Sequence, residues 1–307
     1  MFFQIKKVLR SWIDVDRLDL RQVAELSNSI DFFKEMDKRI VEMHWSVLIM
    51  KNINILQLIN PQENIMGIRC MSENPGAISI INDNIDKIDF TLLSSNPAAI
   101  HIIKNNLDKN INWFRLSNNP NAISLLQENI NKINWSMLSK NPNAIDLIEA
   151  NLDKISWLNL SSNRNPRAIS ILKENIDKVD WINLSQNPNA IELLKKNKRK
   201  INWSYLSFNP TAIDLIKQNL HKINWKHLSS NPAAIELLEE NKDKIDYRYL
   251  SRNSEIFIDA YIYDYDLIKS SNEDLKNEII EMALNPVRIN DLMSKYGRDI
   301  VYDNYFS

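Results

Sequence analysis

Glycine is nearly absent from this chain: three in 307 residues, at Gly67, Gly76 and Gly297. So few glycines cannot build a phosphate-cradling loop, and most turns must be made by residues other than the usual left-handed one. Cysteine is rarer still. Cys70 stands alone, which excludes an intramolecular disulfide framework and fits a reducing compartment. No apolar run approaches the ~20 residues that cross a bilayer. Basic residues inside MFFQIKKVLRSWID break the apolar stretch that a signal peptide needs. An excess of charge of one sign is also missing: 38 basic against 39 acidic residues, unlike the strongly basic balance of many nucleic-acid binders. These absences lead us to expect a soluble protein that is not secreted and not held in a membrane.

What is present in abundance is repetition. Asn-Pro falls at Asn74, Asn96, Asn119, Asn141, Asn165, Asn187, Asn209 and Asn231, at intervals of 22, 23, 22, 24, 22, 22 and 22 residues. Asn253-Ser254 continues the series without the proline. A shared period of this size is a fold signal and takes precedence over local motifs. In the unit NPTAIDLIKQNLHKINWKHLSS, residues 209–230, Asn209 is a helix N-cap and Pro210 fits the first helical position. Ala212, Ile213, Leu215 and Ile216 share one helical face. Asn219, one of a second asparagine ladder, is expected to end that helix in the left-handed conformation that glycine would otherwise supply. Asn224 then caps a second short helix, W-x-x-L-S. Helices this short are marginal alone, so they must bury Ala, Ile, Leu and Trp against neighbouring units.

The expected fold is therefore all-α: an α-solenoid of 22-residue, two-short-helix repeats with degenerate terminal caps. The leucine-rich repeat shares this period, but it needs an L-x-L strand, and Ser204 and Lys226 occupy the position two before Leu206 and Leu228. Residues 1–28 read as an N-terminal cap, 29–253 as the solenoid with its clear repeats at 74–253, and 254–307 as C-terminal capping helices. Asn52, Leu56, Leu58, Ile59, Ser72 and Ile68 trace a degenerate unit, and Trp45 marks another upstream. Asn285-Pro286, with Ile289 and Leu292, reads as a last atypical turn closed near Gly297. About ten units at ~8–10 Å per packed layer make a rod or arc on the order of 90 Å long.

The pattern N-P-x-A-I-x-L-L-x-x-N-x-x-K-I-N-W-x-x-L-S, carried by residues 74–253, resembles repeat arrays in proteins of giant DNA viruses of the mimivirus and marseillevirus kind. The resemblance implies a viral protein acting in the host cytoplasm or packaged in the particle. It implies no activity.

Catalytic chemistry finds no support in the residues. The four histidines have no metal-ligand spacing with Cys70 or with one another, and Cys70 reads as a buried inert thiol. Asp14-Val15-Asp16 and Asp264-Tyr265-Asp266 are isolated D-x-D pairs. No enzyme activity, cofactor, metal or small-molecule substrate is expected. The ladder Trp113, Trp135, Trp157, Trp181, Trp203 and Trp225 could stack single-stranded bases, but Phe90 and Tyr247 replace it at the array ends, as packing requires. The lysines three or four residues before each aromatic could track phosphates; five of them directly follow an aspartate, which dilutes their potential.

Function is better sought where the repeat varies, because consensus positions build the frame of a solenoid and variable ones choose partners. Tyr205, Phe208, His227, Arg248, Tyr249 and Arg252 put aromatic and basic groups on adjacent units, types enriched at binding hot spots. The favoured reading is a non-enzymatic scaffold for protein–protein interaction. The alternatives are polyanion binding through the Lys/Trp ladder and a structural virion component. The segment Phe257 to Asp266, where the period breaks, reads as a cap rather than a docking peptide.

Overall fold

The units between Asn74 and Asn253 follow nearly one course, set by the same few polar side chains. The computed structural model describes residues 3–52, 54, 67–263, 276–277, 280–282 and 285–296. At Asn209 the side-chain Oδ1 accepts the Thr211 N–H at 3.0 Å. Pro210–Ala212 then forms a 3-10 turn that passes into the α-helix Ile213–Lys217. The second helix, Trp225–Ser229, starts where Asn224 Oδ1 accepts the His227 N–H. The repeating helices make the chain an all-α solenoid. Its Ala, Ile and Leu positions form one continuous buried core from Ile13 to Phe257.

At Asn129, Asn175, Asn197 and Asn241 the second asparagine ladder ends the first helix, but not in the left-handed way. Asn197 has φ −122° and ψ 45°, and Asn241 has φ −131° and ψ 52°. Neither has a positive φ. Instead, Asn197 Nδ2 donates to Leu193 O at 2.9 Å and Asn241 Nδ2 to Leu237 O at 2.9 Å. The side chain thus satisfies a carbonyl that the helix end leaves without a partner.

Two further ladders join the units. Ten buried asparagines, from Asn52 to Asn253, run through the core. Asn209 is typical: its Nδ2 donates to Asn187 O at 2.8 Å and to Ser185 O at 3.1 Å in the preceding unit. The serine after each second-helix leucine does the converse. Ser207 Oγ donates to Trp203 O at 2.9 Å and accepts the Asn224 N–H of the next unit at 3.0 Å. The 24-residue interval before Asn165 is resolved by these bonds. Asn163, not Asn165, is the buried ladder residue, donating to Ser139 O and Asn141 O. Asn165 caps the helix Pro166–Glu174 two residues later.

The same bonds continue past the end of the array and return to its start. Ser251 Oγ accepts the Asp19 N–H at 2.8 Å, as Ser229 Oγ accepts that of Asp246 at 3.0 Å. Asp19 caps the helix Leu20–Val23, so Leu20, Val23 and Ala24 stand where Trp, Leu and Ser stand elsewhere. Asn52 Nδ2 then donates to Leu26 O at 2.9 Å and Ala24 O at 3.4 Å. Asn28 Nδ2 bonds Ser254 O at 2.8 Å, and the Arg17 guanidinium lies 3.9 Å from the Tyr247 ring centre. The 3-10 turn Ser254–Ile256 supplies the first part of one unit and residues 14–26 supply its second part.

Where described, 14–28 and 254–256 cover the ends of the array by joining them. Within Lys7–Ile258, one of two compact units of the chain, the solenoid is a closed ring. Its eleven positions are Leu26 and the ten ladder asparagines. At ~8–10 Å per layer its circumference is on the order of 100 Å, and its mid-layer diameter about 30 Å.

Two strands, β1 (Phe3–Leu9) and β2 (Phe257–Tyr263), pair with each other. Arg10 N–H bonds Ile256 O at 2.9 Å, so strands leading into Arg10 and out of Ile256 run antiparallel. Strand, not helix, therefore occupies the described part of the segment Phe257 to Asp266. The second unit comprises Met1–Lys6 and Asp259–Ser307. It contains the helix Pro286–Tyr296, which begins at the expected Asn-Pro step. Asp264-Tyr265-Asp266, Gly297, Leu56, Leu58, Ile59 and the Trp45 side chain lie outside the described residues.

Candidate functional site

The repeated Trp and Lys form one ladder, not two. Each ring is half-buried against the core. Over five of the six tryptophans, all but Trp181, lies the ammonium of the next unit's lysine: Lys132 over Trp113 at 4.7 Å, Lys154 over Trp135 at 5.1 Å, Lys178 over Trp157 at 4.6 Å, Lys222 over Trp203 at 4.9 Å and Lys244 over Trp225 at 4.5 Å. A cation over an aromatic face contributes ~0.5–1 kcal/mol at an exposed site. Arg17 over Tyr247 repeats this pairing across the ring joint. Both sets of side chains therefore hold unit to unit.

The variable residues have a different setting. Phe208 and His227 stack with centroids 4.2 Å apart and planes at 22°. Tyr205 lies 5.9 Å from His227, and Tyr249 lies 5.6 Å from it on the other side. His227 is held by its Nδ1, 2.9 Å from Ser204 O. Arg252 lies 5.6 Å from the Tyr249 ring and donates to Gln22 Oε1 at 2.7 Å. Lys226 lies 5.1 Å from the same ring. Thus five of the six expected residues form one connected cluster on three successive units. Arg248 is exposed beside Tyr249 on the same short helix.

The cluster stands on a concave wall. Arg164, Gln186, Phe208 and Ser230, from four successive units, line one cavity of about 430 Å³ together with Pro188, Pro210 and Pro232. Equivalent rings on successive units, Tyr205, His227 and Tyr249, lie only 5.9 and 5.6 Å apart here, less than the ~8–10 Å between packed helix layers, so the stack curves towards this side. A second cavity, of about 280 Å³, is lined by the equivalent positions Ser95, Phe114, Arg115, Asn118 and Met137. The wall is thus built from the two residues after each second-helix aromatic and the residue before each ladder asparagine. From Ser136 to Arg252 these positions, with the inserted Arg164, carry Lys140, Arg164, Lys226, Arg248 and Arg252 and no acidic residue. Sequence reasoning missed Lys140, Arg164 and Lys226. The signal was available in the two-residue insertion, which sets Arg164 beside the phase of Gln186 and Phe208.

At the other end of the array the wall is internally neutralised. Glu73 is paired with Lys51 at 2.7 Å and lies 3.7 Å from Arg115. Arg69 donates to Asp89 at 3.0 Å. Burial works against charge on Asp89, but the Leu92 N–H, Arg69 and the Thr91 N–H outweigh it and hold its carboxyl below the usual carboxylate range. Among the described residues, no group of three His, Cys, Asp or Glu side chains is arranged to hold a metal ion. Cys70, expected buried, is half-buried because it stands at a wall position of its unit. No helix of the described residues is long and apolar enough to cross a membrane. No protein-family model, curated protein or solved structure matches the chain.

Proposed function

We propose that this protein is a non-catalytic binding ring that holds a macromolecular partner along the concave wall of its C-terminal half. The observation that supports the reading is the wall itself. Positions that vary between units there bring together four aromatic rings and a set of cations with no acid among them. The invariant positions, by contrast, are occupied in bonding one unit to the next. Aromatic and arginine side chains in a concavity are the groups that dominate binding energy at interfaces. On the resemblance of its array to giant-virus repeat proteins, the partner is met in an infected cell or in the virus particle.

The test is recovery of partners from cells expressing wild-type chain or the variant Tyr205→Ala/Tyr249→Ala, with the fold of each checked by circular dichroism. A partner retained by the wild type and lost by the folded variant supports the wall. Equal recovery of every partner would remove the wall from the account.

A further inference from the structure

The basic wall and the lysine ladder differ in what surrounds their charges. Five of the ladder lysines lie over tryptophan rings, and five directly follow an aspartate. On the wall, Arg164 and Arg248 are exposed, and neither guanidinium makes a hydrogen bond or ion pair to a described residue. A guanidinium is suited to phosphate because its donors form a rigid fork, and it also stacks on planar groups. Between these cations the rings of Tyr205, His227 and Tyr249 advance from unit to unit in steps of 5.9 and 5.6 Å. A cationic groove that follows a backbone, interleaved with aromatic platforms, is the combination that holds single-stranded nucleic acid without reading its sequence. An acidic protein segment would use the cations but not a row of rings.

We infer that the occupant of the wall is a single-stranded polynucleotide running from Lys140 to Arg252. Its phosphates meet the lysine and arginine side chains, and its bases lie against Tyr205 and Tyr249. The inference rests on the binding-ring reading above and names its partner. The footprint stops short of Arg115, which is already tied to Glu73 and Ser95.

The experiment is fluorescence anisotropy of labelled oligo-dT and oligo-U, each about 12 nucleotides long, titrated with the full chain at rising salt. Single strands give a slope of ~−0.7 in log K against log salt per phosphate contact. The cations of the wall therefore predict a slope of about −3.5, and Arg164→Gln/Arg248→Gln should reduce it to about −2. Tyr205→Ala should weaken binding about tenfold and leave the slope unchanged. Preference for one oligonucleotide identifies DNA or RNA as the source, and either supports the inference. Absence of binding to both at about 50 mM salt, with the fold intact, overturns it. So does a slope unmoved by the double arginine variant. Displacement by polyglutamate, with no effect of Tyr205→Ala, makes an acidic protein segment the occupant instead. If no oligonucleotide binds while the wall variant still loses a protein partner, only the inference fails. If the wall variants change neither assay, the binding-ring reading fails with it.

Discussion

An asparagine side chain offers two N–H donors and one carbonyl acceptor, and at the ladder positions all are used. Asn209 caps its own turn through Oδ1 and reaches two carbonyls of the preceding unit through Nδ2. Asn209→Ala should therefore cost about 3 kcal/mol or more, combining a lost cap with carbonyls deprived of their donor. Asn189→Ala removes one exposed bond, to Arg164 O, and should cost less than about 1 kcal/mol. Urea unfolding of the two variants tests the contrast. Equal losses would mean that the buried ladder adds nothing. The cap was legible from Asn-Pro itself. The bonds between units were not, because their acceptors are backbone carbonyls 22 and 24 residues away.

Asp89 gives a pH signature at the same scale. Its folded pKa is lowered, so the stability it adds is present above its unfolded pKa and lost as pH falls through the folded value. Asp89→Asn should flatten that part of the acid limb of a stability-versus-pH curve. An unchanged acid limb would mean that the Arg69 and backbone bonds do not favour the ionised form.

At the scale of the element, the repeat shows how a glycine-poor chain turns so often. From Asn84 to Asn241 each first helix is stopped by an asparagine bonding back to the carbonyl four residues earlier. At Asn129, Asn175, Asn197 and Asn241 the backbone keeps a negative φ. Asn197→Gly consequently removes a bond and relieves no strain. It should destabilise by about 1–2 kcal/mol, whereas a left-handed stop would tolerate or welcome glycine. Thermal unfolding of this variant decides between the two. Helix positions and caps followed from periodicity and residue type, since both are local. The conformation of the stop did not, because asparagine serves either mechanism and only geometry separates them.

For the ring of Lys7–Ile258 taken whole, closure was the least legible feature. Its joining segment, DLRQVAEL at residues 19–26, keeps the N-cap and the apolar spacing. It replaces Trp, Leu, Ser and the ladder Asn by Leu20, Val23, Ala24 and Leu26. Nothing local shows that its neighbour is a unit more than two hundred residues away. The candidate surface was more readable. Tyr205, Phe208, His227, Arg248, Tyr249 and Arg252 were found as variable residues in an otherwise fixed pattern. What the period could not convey is that they face inward on a wall that also holds Lys140 and Arg164.

Closure defines that wall, so it is the claim to test first. Spin labels at Arg21→Cys and Arg248→Cys, with Cys70→Ala, would occupy equivalent positions of the two units that meet at the joint. Electron–electron distance measurement should give one narrow distribution below about 20 Å, as for labels on adjacent packed helices. An open arc of the same units would instead separate them by many tens of ångströms, on the order of 90 Å if nearly straight. That long distance would contradict the closed ring.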